Sequence, residues 1–344
     1  MSSTQPSPTP GSDLTVQIIE ISRGYMAATC LYAVAKLKIA DFIANGPTPV
    51  SEIARASKTN EDALFRIMRA LATINVFRET APRTFVNTPI SETLRSDVPG
   101  SSRDAVLFMV DRLHLDIYSE LAHTVETGEP AFQKITGMRP FEFFQRNDEE
   151  NKLFNAAMTS ISGRVIQSIL EIYDFGESGT LADIGAGHGA LLTAILQKHR
   201  GLRGIAFDLP HVVAGAKPVV ESLGLTQRCE VVGGDFFKAV PPADSYVMKS
   251  IIHDWNDERA ITILKNCASA MRGSGGKVVL IEMPVGPANE PALAKWIDIE
   301  MLAVAGGRER TEDEYAALFA KAGLRLNRVV RAPGPNAAIE AVKA

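Results

Sequence analysis

Cysteine is nearly missing from this chain: Cys30, Cys229 and Cys267 stand far apart with no paired spacing. That scarcity excludes a disulfide framework and a cysteine zinc site, and suits reduced, buried thiols in a cytoplasmic protein. Also missing is any apolar run long enough to cross a bilayer. The first dozen residues are rich in Ser, Thr and Pro and have neither a basic start nor an apolar centre. They read as a disordered tail rather than a signal peptide. Neither charge sign dominates: 36 Lys+Arg against 40 Asp+Glu leave a formal −4, with no general attraction for nucleic acid or anionic lipid. No repeat at solenoid periods stands out.

What is present is length and core material. At 344 residues and 46% hydrophobic content, the chain is too long for one typical domain and comfortable for two. After the tail, 1–12, residues 13–100 open with helical spacing from Leu14 to about Ile43 and then break at Pro47 and Pro49. Short helices at Ser51–Ala56 and Asn60–Ile74 precede a hairpin at 76–79 and 84–87, which completes a winged-helix outline. The helix that would enter a DNA groove begins Asn60-Glu61-Asp62, placing carboxylates against phosphate. Pairing with a second copy is the better use of this module, and a homodimer is expected. Residues 101–173 read as linking helices, with Phe141, Phe143, Phe144, Phe154 and Met158 able to roof a pocket.

From 174 to 344 strand and helix alternate, which predicts a doubly wound, mainly parallel sheet. Strands are expected at 180–184, 204–208, 229–232, 245–249, 277–283, 324–330 and 337–342. The last two are joined by Ala332-Pro333-Gly334-Pro335-Asn336, too short for a crossover helix, so they must pair antiparallel. The first strand runs into Asp183-Ile184-Gly185-Ala186-Gly187-His188-Gly189 and a helix follows, the context of a nucleotide-cofactor turn with room against bare backbone. Such glycines suit a dinucleotide as well. An antiparallel final hairpin is unusual for dehydrogenases and turns the expectation toward S-adenosylmethionine.

Ligands of such sheets bind beyond the carboxyl ends of the strands. On that rim Asp208 can accept from both hydroxyls of a ribose, while Asp235 and Phe236 can accept from and pack against an adenine. The fourth strand ends in Lys249 and leads to His253-Asp254-Trp255. Methylating a phenol of pKa about 10 needs a group to take its proton, and an imidazole suits the task. A histidine base works best with a carboxylate to orient it, for which Glu282 at a strand end and Glu309 in a glycine-hinged loop are the candidates.

With these residues together, the chain resembles the small-molecule O-methyltransferases of the caffeic acid and hydroxyindole type, including bacterial relatives in secondary metabolism. The resemblance covers nearly the whole chain. It rests on Asp183-Ile184-Gly185-x-Gly187-x-Gly189, Phe207-Asp208-Leu209-Pro210, Gly234-Asp235-Phe236-Phe237, Lys249 with His253-Asp254-Trp255, and Gly306-Gly307-Arg308-Glu309-Arg310-Thr311. Leu64–Leu71 looks like that family's dimerisation helix. The resemblance implies a Rossmann-like sheet behind a winged-helix dimerisation domain. It implies S-adenosylmethionine held by Gly185, Gly187, Asp208, Leu209, Asp235, Phe236, Lys249 and Trp255, with Met158 and Ser162 as further pocket residues. His253 is then the base, flanked by Glu282 and Glu309, and Asp254, Phe154 and Met301 face the acceptor. No metal is implied, and no carboxylate cluster with ligand spacing stands out. Ala186, where the family often has another glycine, narrows the turn without closing it. Beside this reading stand a relative with the same cofactor and other chemistry, such as hydroxylation or decarboxylation, and a winged-helix DNA regulator.

Overall fold

Seven strands at the expected places dominate the second half of the chain, and their order is what brings the candidate residues to one rim. The computed structural model describes residues 13–344 apart from 274; the expected tail, 1–12, lies outside the described residues. Two compact units divide the chain: one holds residues up to 119 with 141–164, the other 120–140 with 165–344. Residues 101–173, expected as one linking segment, are thus shared between them.

In the first unit, the helical stretch expected from Leu14 to Ile43 is three pieces. Helix α1 (Leu14–Ser22) gives way at Arg23 to α2 (Gly24–Lys36), and Lys38 in the left-handed region turns the chain into a 3-10 helix at Ile39–Ile43. Strand β1 (Thr48–Pro49), helices α3 (Val50–Ser57) and α4 (Glu61–Ala72), and strands β2 (Phe77–Ala81) and β3 (Thr84–Asn87) follow, with the strands in the order β1-β3-β2. Asn60 caps α4 by accepting from the Ala63 amide at 2.9 Å. At helical spacing Leu64, Met68 and Leu71 then drop into a core with Ile39, Ile53, Phe77 and Phe85. This is the winged-helix outline, and Glu61 and Asp62 occupy the first turn of its second helix. Leu14, Ile18, Ile21 and Tyr25 are all at least 60% exposed along α1 and the start of α2. Helix α5 (Asp148–Ile172) begins in this unit and ends in the other.

The second unit is built on β4 (Gly179–Ile184), β5 (Leu202–Asp208), β6 (Cys229–Gly233), β7 (Ser245–Lys249), β8 (Lys277–Glu282), β9 (Leu324–Arg331) and β10 (Ala337–Lys343). Their order is β6-β5-β4-β7-β8-β10-β9, parallel through β8, with β10 antiparallel to both neighbours. Because side chains alternate along a strand, each face has its own core. Leu181, Val247, Val279 and Ile281 pack with α6 (Ala190–Lys198), while Ala182, Met248, Val278 and Leu280 pack with α7 (Asp257–Ala270) and α8 (Glu312–Lys321). No helix among the described residues is long and apolar enough to cross a membrane.

Candidate active site

The turn after β4 carries three glycines with positive φ: Gly185 at 78°, Gly187 at 56° and Gly189 at 79°. Their reasons differ. A Cβ on Gly185 would lie 2.3 Å from Ile251 Cδ1, so the missing side chain there makes room for this neighbour. A Cβ on Gly187 would meet nothing within 4 Å; its backbone faces open space, and it is the position where a ligand can approach bare peptide. Ala186 fits as expected, donating its amide to the Phe207 carbonyl while its methyl packs against the α6 core.

Asp208, at the end of β5, ties this turn down: Oδ2 accepts from the Gly187 amide at 2.8 Å and Oδ1 from the Leu209 amide at 2.7 Å. A carboxylate has about four lone-pair positions, so two stay available for hydroxyls. Burial raises the Asp208 pKa, with the two amides working against it. Asp235 accepts from the Phe237 amide at 2.9 Å in its own turn. The rings of Phe236 and Trp255 meet edge-on at 6.1 Å, with Phe237 against both and the Arg259 guanidinium over Trp255 and Phe237. Leu209 is 42% exposed beside Asp208. Asp183 was passed over in the sequence except as part of the motif. It is buried on the α6 side of the sheet, as Lys249 is by strand parity, and burial outweighs the Lys249 charge to push its pKa to about 7.

Past Lys249 the backbone turns sharply through Ser250, at φ 54°, into the short 3-10 helix Ile252–Asp254. His253 there is 8% exposed, and Nδ1 lies 2.7 Å from Glu309 Oε1 and 3.6 Å from Glu282 Oε2. An ionised carboxylate only accepts, so Nδ1 carries a proton toward Glu309, and it is Nε2, with Asp254 Oδ1 3.6 Å away, that holds a lone pair when the ring is neutral. Glu282 also holds the turn itself, its Oε1 accepting from the amides of Ile251 at 3.2 Å and Ile252 at 2.9 Å. Burial alone would lower the His253 pKa. The Glu282 charge, the Glu309 hydrogen bond and the Asp254 charge overcome it and raise the value to about 10. Burial likewise carries Glu282 to about 7 and Asp254 to about 6, the imidazolium charge opposing in both.

The fold also brings ligand-type atoms of His253, Glu282 and Glu309 within 4.8 Å of one another, a closeness that sequence spacing does not reveal. Their hydrogen bonds read as proton sharing: Glu309 Oε1 is committed to the imidazole and Glu282 Oε1 to two amides. A similar trio, Asp174, Glu177 and His199, lies elsewhere in this unit, with both acids exposed.

Two supporting residues escaped the sequence reading. Arg310, in a loop whose alternating charges suggest a surface, is 1% exposed. Its guanidinium donates to the carbonyls of Ile252 at 3.2 Å and Trp255 at 2.8 Å, on either side of His253, and to Asp257 at 2.9 Å. Asp298 accepts from the Glu309 amide at 2.8 Å. The Arg308 amide donates to the His253 carbonyl at 2.8 Å, and a Cβ on Gly307 would come within 2.0 Å of that same oxygen. Met301 opens a single turn of π-helix, Met301–Ala305, and its carbonyl accepts from the Gly306 and Gly307 amides. Thr311 and Glu314 form a capping box at the start of α8. Phe154, Met158 and Ser162 lie on the part of α5 in the first unit, where Phe154 stacks on Phe144 at 4.7 Å and meets Phe108 edge-on.

A nucleotide-type turn, an acid at the end of the next strand and an antiparallel last strand define the methyltransferase class of Rossmann-like folds. The family model described as O-methyltransferase domain matches residues 118–325, and that of the O-methyltransferase dimerisation domain matches 19–97. The chain belongs to this O-methyltransferase family and is an S-adenosylmethionine-dependent enzyme. It is 38% identical over 325 residues to phenazine O-methyltransferase PhzM of Lysobacter antibioticus, covering 94% of this chain and 95% of that one. Among solved structures, the S-adenosylhomocysteine-bound form of CalO1, a methyltransferase in calicheamicin biosynthesis, aligns with a TM-score of 0.89 at 34% identity, over 98% of this chain and all of that one. NcsB1, an O-methyltransferase from neocarzinostatin biosynthesis solved with S-adenosylmethionine and 2-hydroxy-5-methyl naphthoic acid, aligns at 0.79 and 30% identity, over 98% and 100%.

Proposed function

We propose that this enzyme methylates a hydroxyl, phenolic in the best-supported case, on a small aromatic or polyketide-like metabolite, with His253 as the general base. The observation that carries this reading is the 2.7 Å contact between His253 Nδ1 and Glu309, which makes Nε2 the proton acceptor of the neutral ring. Acceptor class follows from the relatives, one of which was crystallised with a naphthoic acid.

The residues present suit the cofactor. Gly187 offers an unobstructed backbone, Asp208 keeps lone pairs for two ribose hydroxyls, and Phe236 with Trp255 offers aromatic surface beyond β6 and β7. Leu209, Asp235, Lys249 and the turn at Gly185 complete this side, and Met158 and Ser162 are assigned to it from the resemblance. When bound, S-adenosylmethionine supplies an electrophilic methyl group on a sulfonium whose positive charge favours the neutral imidazole. His253 takes the hydroxyl proton at Nε2 as the acceptor oxygen becomes nucleophilic. Glu309 orients the ring and, with Glu282, stabilises the imidazolium that results. An imidazole raised to about 10 matches the proton affinity of a phenol, so the transfer is close to balanced. Asp254, Phe154 and Met301 are assigned to the acceptor side.

The test is transfer of a labelled methyl group from S-adenosylmethionine to a panel of phenols. A labelled aryl ether is expected, and the reaction is expected to survive dialysis against a chelator. A panel in which only amines or carbons carry label, or none does, refutes the reading. Gly187→Ala probes the cofactor side. The left-handed backbone predicts a loss of about 1–2 kcal/mol in stability, while thermal stabilisation by S-adenosylhomocysteine should disappear, as read by melting temperature. The exposed apolar residues of α1 and α2 and the matched dimerisation domain support a homodimer, which light scattering at twice the chain mass would demonstrate.

A further inference from the structure

Behind the two acids lies a phenol that neither the motif nor the mechanism uses. Tyr315 is fully buried in the first turns of α8, and its hydroxyl has no hydrogen-bond partner. It packs in the core that covers the β8 face bearing Val278 and Leu280, and by strand parity Glu282 ends that same face. Glu309 is two residues before the cap of α8. On these two acids Glu282 Oε2 and Glu309 Oε2 are also buried without a hydrogen-bond partner. A donor and two acceptors are thus left over in one interior region, and burying a polar atom without a partner is unfavourable. One water accepting from a hydroxyl and donating to two carboxylates makes the three bonds usual for a buried water.

We propose that Tyr315 is a positioning residue of the methyl-transfer site, its hydroxyl linked through one internal water to Glu282 and Glu309. The inference rests on His253 acting as base. The charges of Glu282 on β8, of Glu309 and Arg310 in the loop before α8, and of Glu314 on its own helix all act on the Tyr315 hydroxyl. His253 is faced by Glu282, Glu309 and Asp254, and Glu282 and Asp254 also by Lys249. A donor held against the two carboxylates stabilises their charged forms and lowers the proton affinity of the whole cluster. Without it, His253 keeps its second proton to higher pH.

Tyr315→Phe removes the donor and keeps the ring. The acid limb of the kcat–pH profile is expected to move up by about one unit, so that turnover on that limb falls about tenfold with little change in the acceptor KM. An unshifted limb overturns the proposal. If His253→Ala retains full turnover, the base assignment itself has failed, which is a separate result. Should Tyr315→Phe not fold, a high-resolution crystal structure of the unaltered enzyme decides: a water within hydrogen-bond reach of Tyr315 Oη and both carboxylates supports the link, and apolar contact there overturns it.

Discussion

Replacing His253 with alanine should lower kcat by about 10²–10⁴-fold, the usual contribution of a positioned base, while S-adenosylhomocysteine still raises the melting temperature. The two readouts separate because the imidazole belongs to the turn after β7, whereas the proposed cofactor contacts at Gly187 and Asp208 belong to the ends of β4 and β5. The pH profile carries a further sign. On the proposed mechanism the neutral imidazole is the active form, and Glu282, Glu309 and Asp254 hold the second proton against loss until pH approaches about 10. Turnover should therefore climb from neutral toward alkaline pH. In the alanine variant the base-dependent limb vanishes, and the residual rate should follow ionisation of the acceptor, rising about tenfold per unit below a phenol pKa near 10. If the variant keeps the parent rate at neutral pH, another group removes the proton.

Arg310→Met should be the most damaging change away from the reacting atoms. A methionine fills most of the volume but leaves the Ile252, Trp255 and Arg308 carbonyls and Asp257 without the guanidinium that now serves them. The Ile252 carbonyl keeps the Trp255 amide and Asp257 is half exposed, so the loss is about 1–3 kcal/mol, read as a drop in the denaturant midpoint. The folded fraction should also turn over more slowly, because the two carbonyls that bracket His253 are no longer pinned. Lysine keeps one charge but not the planar fork, so Arg310→Lys should recover part of the stability and little of the rate. Equal loss of stability and no loss of rate in the folded fraction would make Arg310 a structural residue only.

All seven strands of the sheet were legible, since apolar runs between glycine and proline breaks mark buried strands well. The antiparallel end was legible too, because a five-residue linker containing two prolines cannot cross over. Less legible was anything that depends on which residues meet across the fold. That Gly185 also makes room for Ile251 is known only once β7 is laid beside β4. Glu309 is expected beside His253, but Arg310 stands in a loop of alternating charges and is nonetheless buried, because its partners are mostly backbone carbonyls that local sequence does not show. That Glu282 and Glu309 flank His253 is an expectation of the sequence; that both lie near the same nitrogen, Nδ1, is not. In the first unit, the break at Arg23 and the turn at Lys38 interrupt a pattern whose apolar spacing alone suggests continuous helix.

The direct peptide bond-to-peptide contact between the His253 carbonyl and the Arg308 amide, closed over by Gly307, has a consequence for how such an enzyme can diversify. The proposed base and the acid proposed to orient it sit on two strips of main chain fastened to each other, so a side-chain exchange that re-aims one disturbs the other. New acceptors have to be accommodated by walls that move around a stationary base. Engineering toward another alcohol should accordingly begin at surfaces facing the acceptor and leave residues 251–255 and 306–310 as they stand.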